Sequence, residues 1–448
     1  MQQIDFSQGS IRRRILAVAT PMLIAQLLNL LYNIVDRIYI GKIPGEGTLA
    51  LASMCFPFVT LITAFANLFG LGGAPLCAMA RGKGNREGAQ GIMVNAGFML
   101  LLSGAVLTVL GIAFHRPLLY LFGASEVTYP YASSYIVIYL IGTLCVMLSL
   151  GLNPYINCQG FARTGMLTVA LGAAANIVLD PIFIFALHLG VRGAAIATVL
   201  SQLLSAAWVV KFLTGKKAEL KLDFRGFRPD WHCIQRITVL GIASFVMSFT
   251  DTLVQVACNA TLRNFGGDLY ISVMTVLNSV RQIAQTPVLA IADGASTAIS
   301  YNYGARLYRR TRDAIRFMTQ IAIGYTMLVW MLVSLFPALF IRIFNQDAEL
   351  VAAAVPALHI YFFGFVMMAF QYSGQSTFRA LGRAKYAVFF SLLRKAFIVV
   401  PLTLLLPYCW NLGVSGVFAA EPVSNCIGGL ACYFTMRHVV MPELKMEN

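Results

Sequence analysis

Two side chains interrupt the apolar stretch AAANIVLDPIFIFAL (residues 173–187), the amide of Asn176 and the carboxylate of Asp180. Four residues apart, they stand one above the other on a single helix face. A second apolar run, LLNLLYNIVDRIYIG, carries Asn29, Asn33 and Asp36 at i, i+4 and i+7, with Gln26 extending the stripe. Thr198 in AIATVLSQ and Asn153, just before Pro154, add a hydroxyl and a further amide. Two chemistries suit such a set. Carboxylates sharing a poorly solvated site cannot both ionise cheaply, so the pair can hold a proton. Carboxylate, amide and hydroxyl oxygens can equally replace the water shell of a hard cation such as Na⁺. The residue types alone leave both open.

The second half of the chain has its own polar stripes. Asp251, Gln255 and Asn259 follow i, i+4, i+8, and Asn278, Arg281, Gln282 and Gln285 share a neighbouring segment. Arg281 inside an apolar segment requires a counter-charge, for which Asp251 and Glu421 are the candidates. These side chains, with Asn33, are candidates for a substrate cavity. Asp293 in IADGAS sits towards the end of its segment and reads as a helix-end or gate residue. The motif GLGGAP (70–75) follows no strand and precedes no phosphate-binding lysine, so it reads as close helix packing.

The elements that must position these residues are membrane helices. The chain has 448 residues, of which 58% are hydrophobic and only 11% charged, too little charge to cover a soluble protein of this length. Apolar runs of spanning length recur at about 15–40, 50–72, 89–113, 132–153, 166–187, 193–212, 234–258, 270–299, 314–340, 351–373, 386–407 and 413–436. The expected fold is therefore an all-α polytopic membrane protein of twelve transmembrane helices. Of the 33 Lys and Arg, 26 fall on the side of Arg12–Arg14, a set that includes Arg394 and Lys395. Five fall opposite (Lys42, Arg116, Arg192, Arg263, Arg342), and Arg37 and Arg281 lie inside spans. The net charge of +15 is thus explained by the positive-inside rule, with both termini cytoplasmic, and not by a nucleic-acid surface. No cleaved signal peptide is expected, because the apolar stretch after Arg14 is too long for one. The nine cysteines are scattered without CxxC spacing and the five histidines form no HxxxH pair. They read as buried side chains rather than metal ligands. No cofactor is expected.

The halves repeat at a nearly constant shift of 222: Gly72 falls on Gly294, Gly82 on Gly304, Tyr139 on Tyr361 and Gly160 on Gly382. LGVRGAAIATVLS (189–201) matches LGVSGVFAAEPVS (412–424) at a shift of 223. Six helices repeated in parallel predict two pseudo-symmetric lobes, residues 1–212 and 233–448, joined by a cytoplasmic linker at 213–232. Repeats of this kind mark transporters, with the substrate path between lobes near the midplane.

YNIVDRIYIG, NIVLDPIFIF followed by LGVRGAAIATVLSQ, and DGASTAISYNYGA entering a basic loop resemble the multidrug and toxic compound extrusion (MATE) family. The resemblance covers essentially the whole chain. It implies a V-shaped pair of bundles, alternating access, and export of amphipathic, often cationic compounds in exchange for H⁺ or Na⁺. On this resemblance Asp36, Asn176 and Asp180 match the family's N-lobe cation site, with Thr198 and Asn153 as supporting ligands. Asp251 matches an acid that some relatives use on the seventh helix, whereas the tenth span has no acid and offers Gln371. The expected setting is a monomer in the bacterial inner (plasma) membrane, handling small molecules. The alternative is a lipid-linked oligosaccharide flippase of related architecture, which would need several basic residues in its cavity; Arg281 is the single central one expected here. No HExxH, catalytic serine, P-loop or channel filter is present, so the chain is not expected to be an enzyme, an ATP-driven pump or a channel.

Overall fold

A computed structural model describes residues 3–43, 48–122 and 124–446. They form twelve transmembrane helices. The first three are α1 (Ile11–Gly41), α2 (Thr48–Gly82) and α3 (Arg86–Leu121). The fourth span, α4, is bent by 54° between Tyr129–Ile141 and Thr143–Cys158. Next come α5 (Ala162–Pro181), which ends in a π-helical turn, Ile182–Ala186, and α6 (Gly190–Thr214).

A continuous helical stretch, Trp231–Gly304, contains two spans, α7 (231–266) and α8 (268–304). Gly267 separates them with φ of 66° and ψ of −162°, a conformation that glycine alone adopts cheaply. The remaining spans are α9 (Tyr308–Leu335), α10 (Ala348–Phe362 and Met367–Ala380, bent by 50°), α11 (Ala384–Leu405) and α12 (Val414–Met446). π-Helical turns interrupt α11 at Leu393–Val399 and α12 at Asn425–Gly429.

Large apolar side chains such as Phe363 and Phe397 are about 70% exposed, which is costly in water and natural against lipid. Packing inside the bundles instead relies on small residues. At Gly241 of α7 a Cβ would overlap the Leu68 carbonyl of α2, so those backbones meet only because the residue is glycine.

The chain divides into two compact units. One comprises Met1–Phe6 and Thr20–Phe245, the other Ser7–Ala19 and Val246–Asn448. In the first, α2 packs on α3 and α4, and α6 on α4 and α5. The polar segment after α6 is tied to it: Leu220 N donates to Gln159 Oε1 at 2.9 Å, Asp230 N to Asn95 Oδ1 at 2.9 Å, and Arg81 pairs with Glu219. The amino-terminal segment joins the same surface through Ile4 N and the Gly160 carbonyl at 3.0 Å. In the second unit α10 packs on α9 and α12, and α11 on α12.

Candidate coupling and substrate sites

Helix spacing brings the amide and carboxylate of α5 to one place. Asn176 Nδ2 donates to Asp180 Oδ1 at 3.3 Å and reaches Thr198 Oγ1 of α6 at 3.4 Å. All three residues are buried, Asp180 completely. The Asp36 carboxyl of α1 approaches that of Asp180, and Tyr32, one turn before Asp36, approaches Thr198. Two carboxyl groups in such proximity can share one proton between them. Asp180 Oδ2 and Asn176 Oδ1 accept from no ordinary protein donor among the described residues. The cluster therefore presents several inward-facing oxygens and one shared-proton position.

Asn153 stands apart from the carboxyl pair. It lines a cavity of about 200 Å³ within the same unit, walled by Gln26, Asn29, Tyr32, Asn157, Asn176 and Gln202 among others. Asn176 and Tyr32 thus face both the cavity and the acids. Asn33 joins neither group: its amide turns back to the Asn29 carbonyl at 2.6 Å, and the residue is exposed. The Arg37 side chain lies outside the described residues.

The second unit holds an ionic network. Glu421 Oε1 accepts from Arg281 Nη1 at 2.6 Å, Arg394 Nη1 at 3.1 Å and Lys395 Nζ at 3.1 Å. Lys395 Nζ also pairs with Asp251 Oδ1 at 3.0 Å, and Arg394 donates to Asn425 Oδ1 at 2.6 Å. Arg281 lies over the Tyr361 ring, 5.6 Å from its centroid. Gln255 extends the network by accepting from Asn278 at 2.9 Å and donating to Asn259 at 3.1 Å. Gln282 is exposed and contributes nothing to it, and Gln371 bonds Gln375 at 3.3 Å instead. Asp293 faces Arg379 at 3.8 Å, far along α8.

Two expectations are corrected here. Arg394 and Lys395 do not belong to the basic loops; they are buried within α11. Arg281 is consequently not the single central base, but one of three. The π-helical turn at Leu393–Val399 explains how two adjacent cations share one partner. Adjacent side chains on a regular helix diverge by about 100°, and the widened turn brings both towards Glu421.

The repeat relates the two sites. At its shift of 222–223, Asn29 falls on Asp251, Gly172 and Ala173 on Arg394 and Lys395, and Thr198 on Glu421. Gly172 and Ala173 leave room for the first unit's cavity of about 200 Å³; the long cations in their place reduce its counterpart to about 20 Å³. That is the room of a single water.

The family model MatE matches twice, at residues 21–182 and 243–405, once in each half. The chain belongs to the MatE family. It is accordingly a membrane transporter and not an enzyme. Among similar proteins, the multidrug export protein MepA of Staphylococcus haemolyticus is 24% identical over 434 residues, 97% of this chain and 95% of that one. A FAD transporter of Shewanella oneidensis is 24% identical over 442 residues, 96% of each. An outward-facing multidrug resistance MATE transporter of the MOP superfamily superposes with a TM-score of 0.93 at 23% identity, covering 100% of this chain and 99% of that one. A MOP superfamily transporter from Pyrococcus furiosus, described as having a binding pocket of reverse polarity, gives 0.93 at 23% identity over 99% of each.

Within this MatE-family chain, sequence reasoning passed over Tyr32, Arg394, Lys395 and Asn425. Tyr32 was findable, being four residues before Asp36 on the same stripe. Arg394 and Lys395 lie inside the apolar run FFSLLRKAFIVV, and that position was itself the signal.

Proposed function

We propose that the chain is a cation-coupled antiporter that exports amphipathic small molecules by alternating access, with H⁺ as the coupling ion held between Asp36 and Asp180. The approach of Asp36 to the buried Asp180, beside Asn176 and Thr198, carries this reading. Two ionised carboxylates about 4 Å apart repel by about 4 kcal/mol at an effective dielectric of 20. A proton bound there removes that repulsion and favours whichever lobe conformation brings α1 against α5. A coupling of 1–3 kcal/mol, about 5–150-fold in affinity, is enough to link the two fluxes. Asn176 and Thr198 orient the pair, and the same oxygens would serve Na⁺ as the rival ion. The orientation that goes with this reading puts the face of Arg12–Arg14, and both termini, in the cytoplasm of a bacterial inner membrane.

A second reading concerns the substrate's charge. Three cations against two acids leave the α7, α8, α11 and α12 network with an excess positive charge, and the Asp251 side chain is 43% exposed. An organic anion could replace Asp251 at Lys395. The FAD transporter relative and the neighbour of reverse polarity support this direction, and a lipid-linked diphosphate cargo would be held by the same bases.

The test is efflux from proteoliposomes under a pH gradient or a Na⁺ gradient imposed separately, with ethidium or FAD as cargo. Wild type is expected to respond to the pH gradient, and Asp36→Asn and Asp180→Asn to lose that response while remaining inserted. A response to Na⁺ alone would reassign the ion. Gradient-driven efflux that survives in both variants would remove the coupling site. Which cargo moves decides the charge.

A further inference from the structure

A groove between α9 and the carboxy-terminal half of α12, sharing no lining residue with either site above, has an unused chemistry. Its lining includes Arg316 and Gln320 of α9 and Tyr433, Arg437, Met441 and Lys445 of α12, and its volume is about 320 Å³. Each helix contributes a stripe at i, i+4 spacing. The helices run in opposite directions, since α9 begins and α12 ends at the arginine-rich face. Arg316 and Lys445 therefore mark the outer end and Ile323 and Tyr433 the end nearest the bilayer centre, with Gln320 and Arg437 between.

All three cations are exposed, and none forms an ion pair among the described residues. The acid nearest in sequence, Glu443, is taken by Arg383 and by Tyr303 Oη at 2.9 Å. Asp313, one turn before Arg316, makes no ion pair with it either. Next to the groove, Phe434 is exposed as lipid-facing aromatics are. Two unpaired cations at the interfacial end, a third beside an amide in the middle, and Ile323 with the Tyr433 ring at the inner end follow the polarity profile of one phospholipid.

We propose that this groove is a binding site for an anionic phospholipid, with the phosphodiester held by Arg316, Arg437 and Lys445 and an acyl chain running past Ile323 and Tyr433. Basic pockets between transmembrane helices at the membrane–water interface bind such headgroups, and each cation near an anionic surface contributes about 1 kcal/mol. A bound lipid would cement α9 to α12, and the site does not depend on the coupling ion or cargo proposed above.

The experiment titrates the detergent-solubilised full chain with dioleoyl-phosphatidylglycerol or dioleoyl-phosphatidylcholine and counts bound lipids by native mass spectrometry. One tight phosphatidylglycerol is expected, at least tenfold preferred. Each of R316Q, R437Q and K445Q should weaken it by about fivefold, the triple variant by at least tenfold, and R437K should retain it. The triple R225Q/R228Q/R309Q removes the same number of exposed cations elsewhere and should leave binding unchanged. Equal loss in that control would show general attraction to basic surface and overturn the site. Loss of the lipid to millimolar inorganic phosphate would make it a soluble-anion site, and absence of any headgroup preference would also refute it.

Discussion

Glu421→Gln should destabilise the second unit by about 3–5 kcal/mol, the cost of breaking a buried ion pair from one side. Glu421 is 4% exposed and holds Arg281, Arg394 and Lys395 within 3.1 Å of a single oxygen. Glutamine keeps the shape and one acceptor oxygen but removes the charge, so three cations are left facing Asp251 alone. Asp251 cannot compensate, because its side chain is 43% exposed and its one ion pair among the described residues is with Lys395. For a unit of about 200 residues, each kcal/mol corresponds to about 2–4 °C, so a loss of 3 kcal/mol predicts a fall of about 6–12 °C in Tm. Purified protein in one detergent, followed by intrinsic fluorescence during heating, measures this. The second variant is E421Q/K395Q, which restores the charge excess of the native network and leaves Asp251 free to hydrate. It should regain at least about 1 kcal/mol relative to E421Q, a non-additivity expected only of directly interacting groups. A fall below about 2 °C in E421Q, or strictly additive effects, would refute the view that Glu421 anchors this network.

Two further outcomes follow from the packing and the topology. Gly241→Ala should cost about 1–3 kcal/mol or prevent folding, because its Cβ would overlap the Leu68 carbonyl. Gly91→Ala, in open space on α3, should be neutral or stabilising by up to about 1 kcal/mol; thermal melts of the two beside wild type check both. Cys409, between α11 and α12, is the one cysteine exposed among the described residues. A membrane-impermeant maleimide should label it in intact cells if the Arg12–Arg14 face is cytoplasmic. Protection until the cells are opened would invert that orientation.

Much of the membrane fold was legible because it is written in one-dimensional quantities. Span length, the asymmetry of basic residues (24 to 5 without the buried Arg394 and Lys395) and the 222-residue repeat require no knowledge of which helix touches which. The Asn176–Asp180 contact was legible for the same reason, since four residues on a helix fix a neighbour. That Asp36 and Asp180 share a site could be supposed from the residue types, but only the family resemblance paired them, since α1 and α5 are separated by more than a hundred residues.

The second network shows where reading along the chain fails. Arg394 and Lys395 look like loop charges to any rule that treats cations as hydrated. They are buried because a π-helical turn points both at Glu421, a residue from the next helix. Hydropathy and neighbours within a turn were enough to set the membrane, the helices, the repeat and the pair on α5. Which charges meet was fixed by the packing of the helices, because a charge can stay in an apolar bundle only beside an opposite charge brought there by another helix.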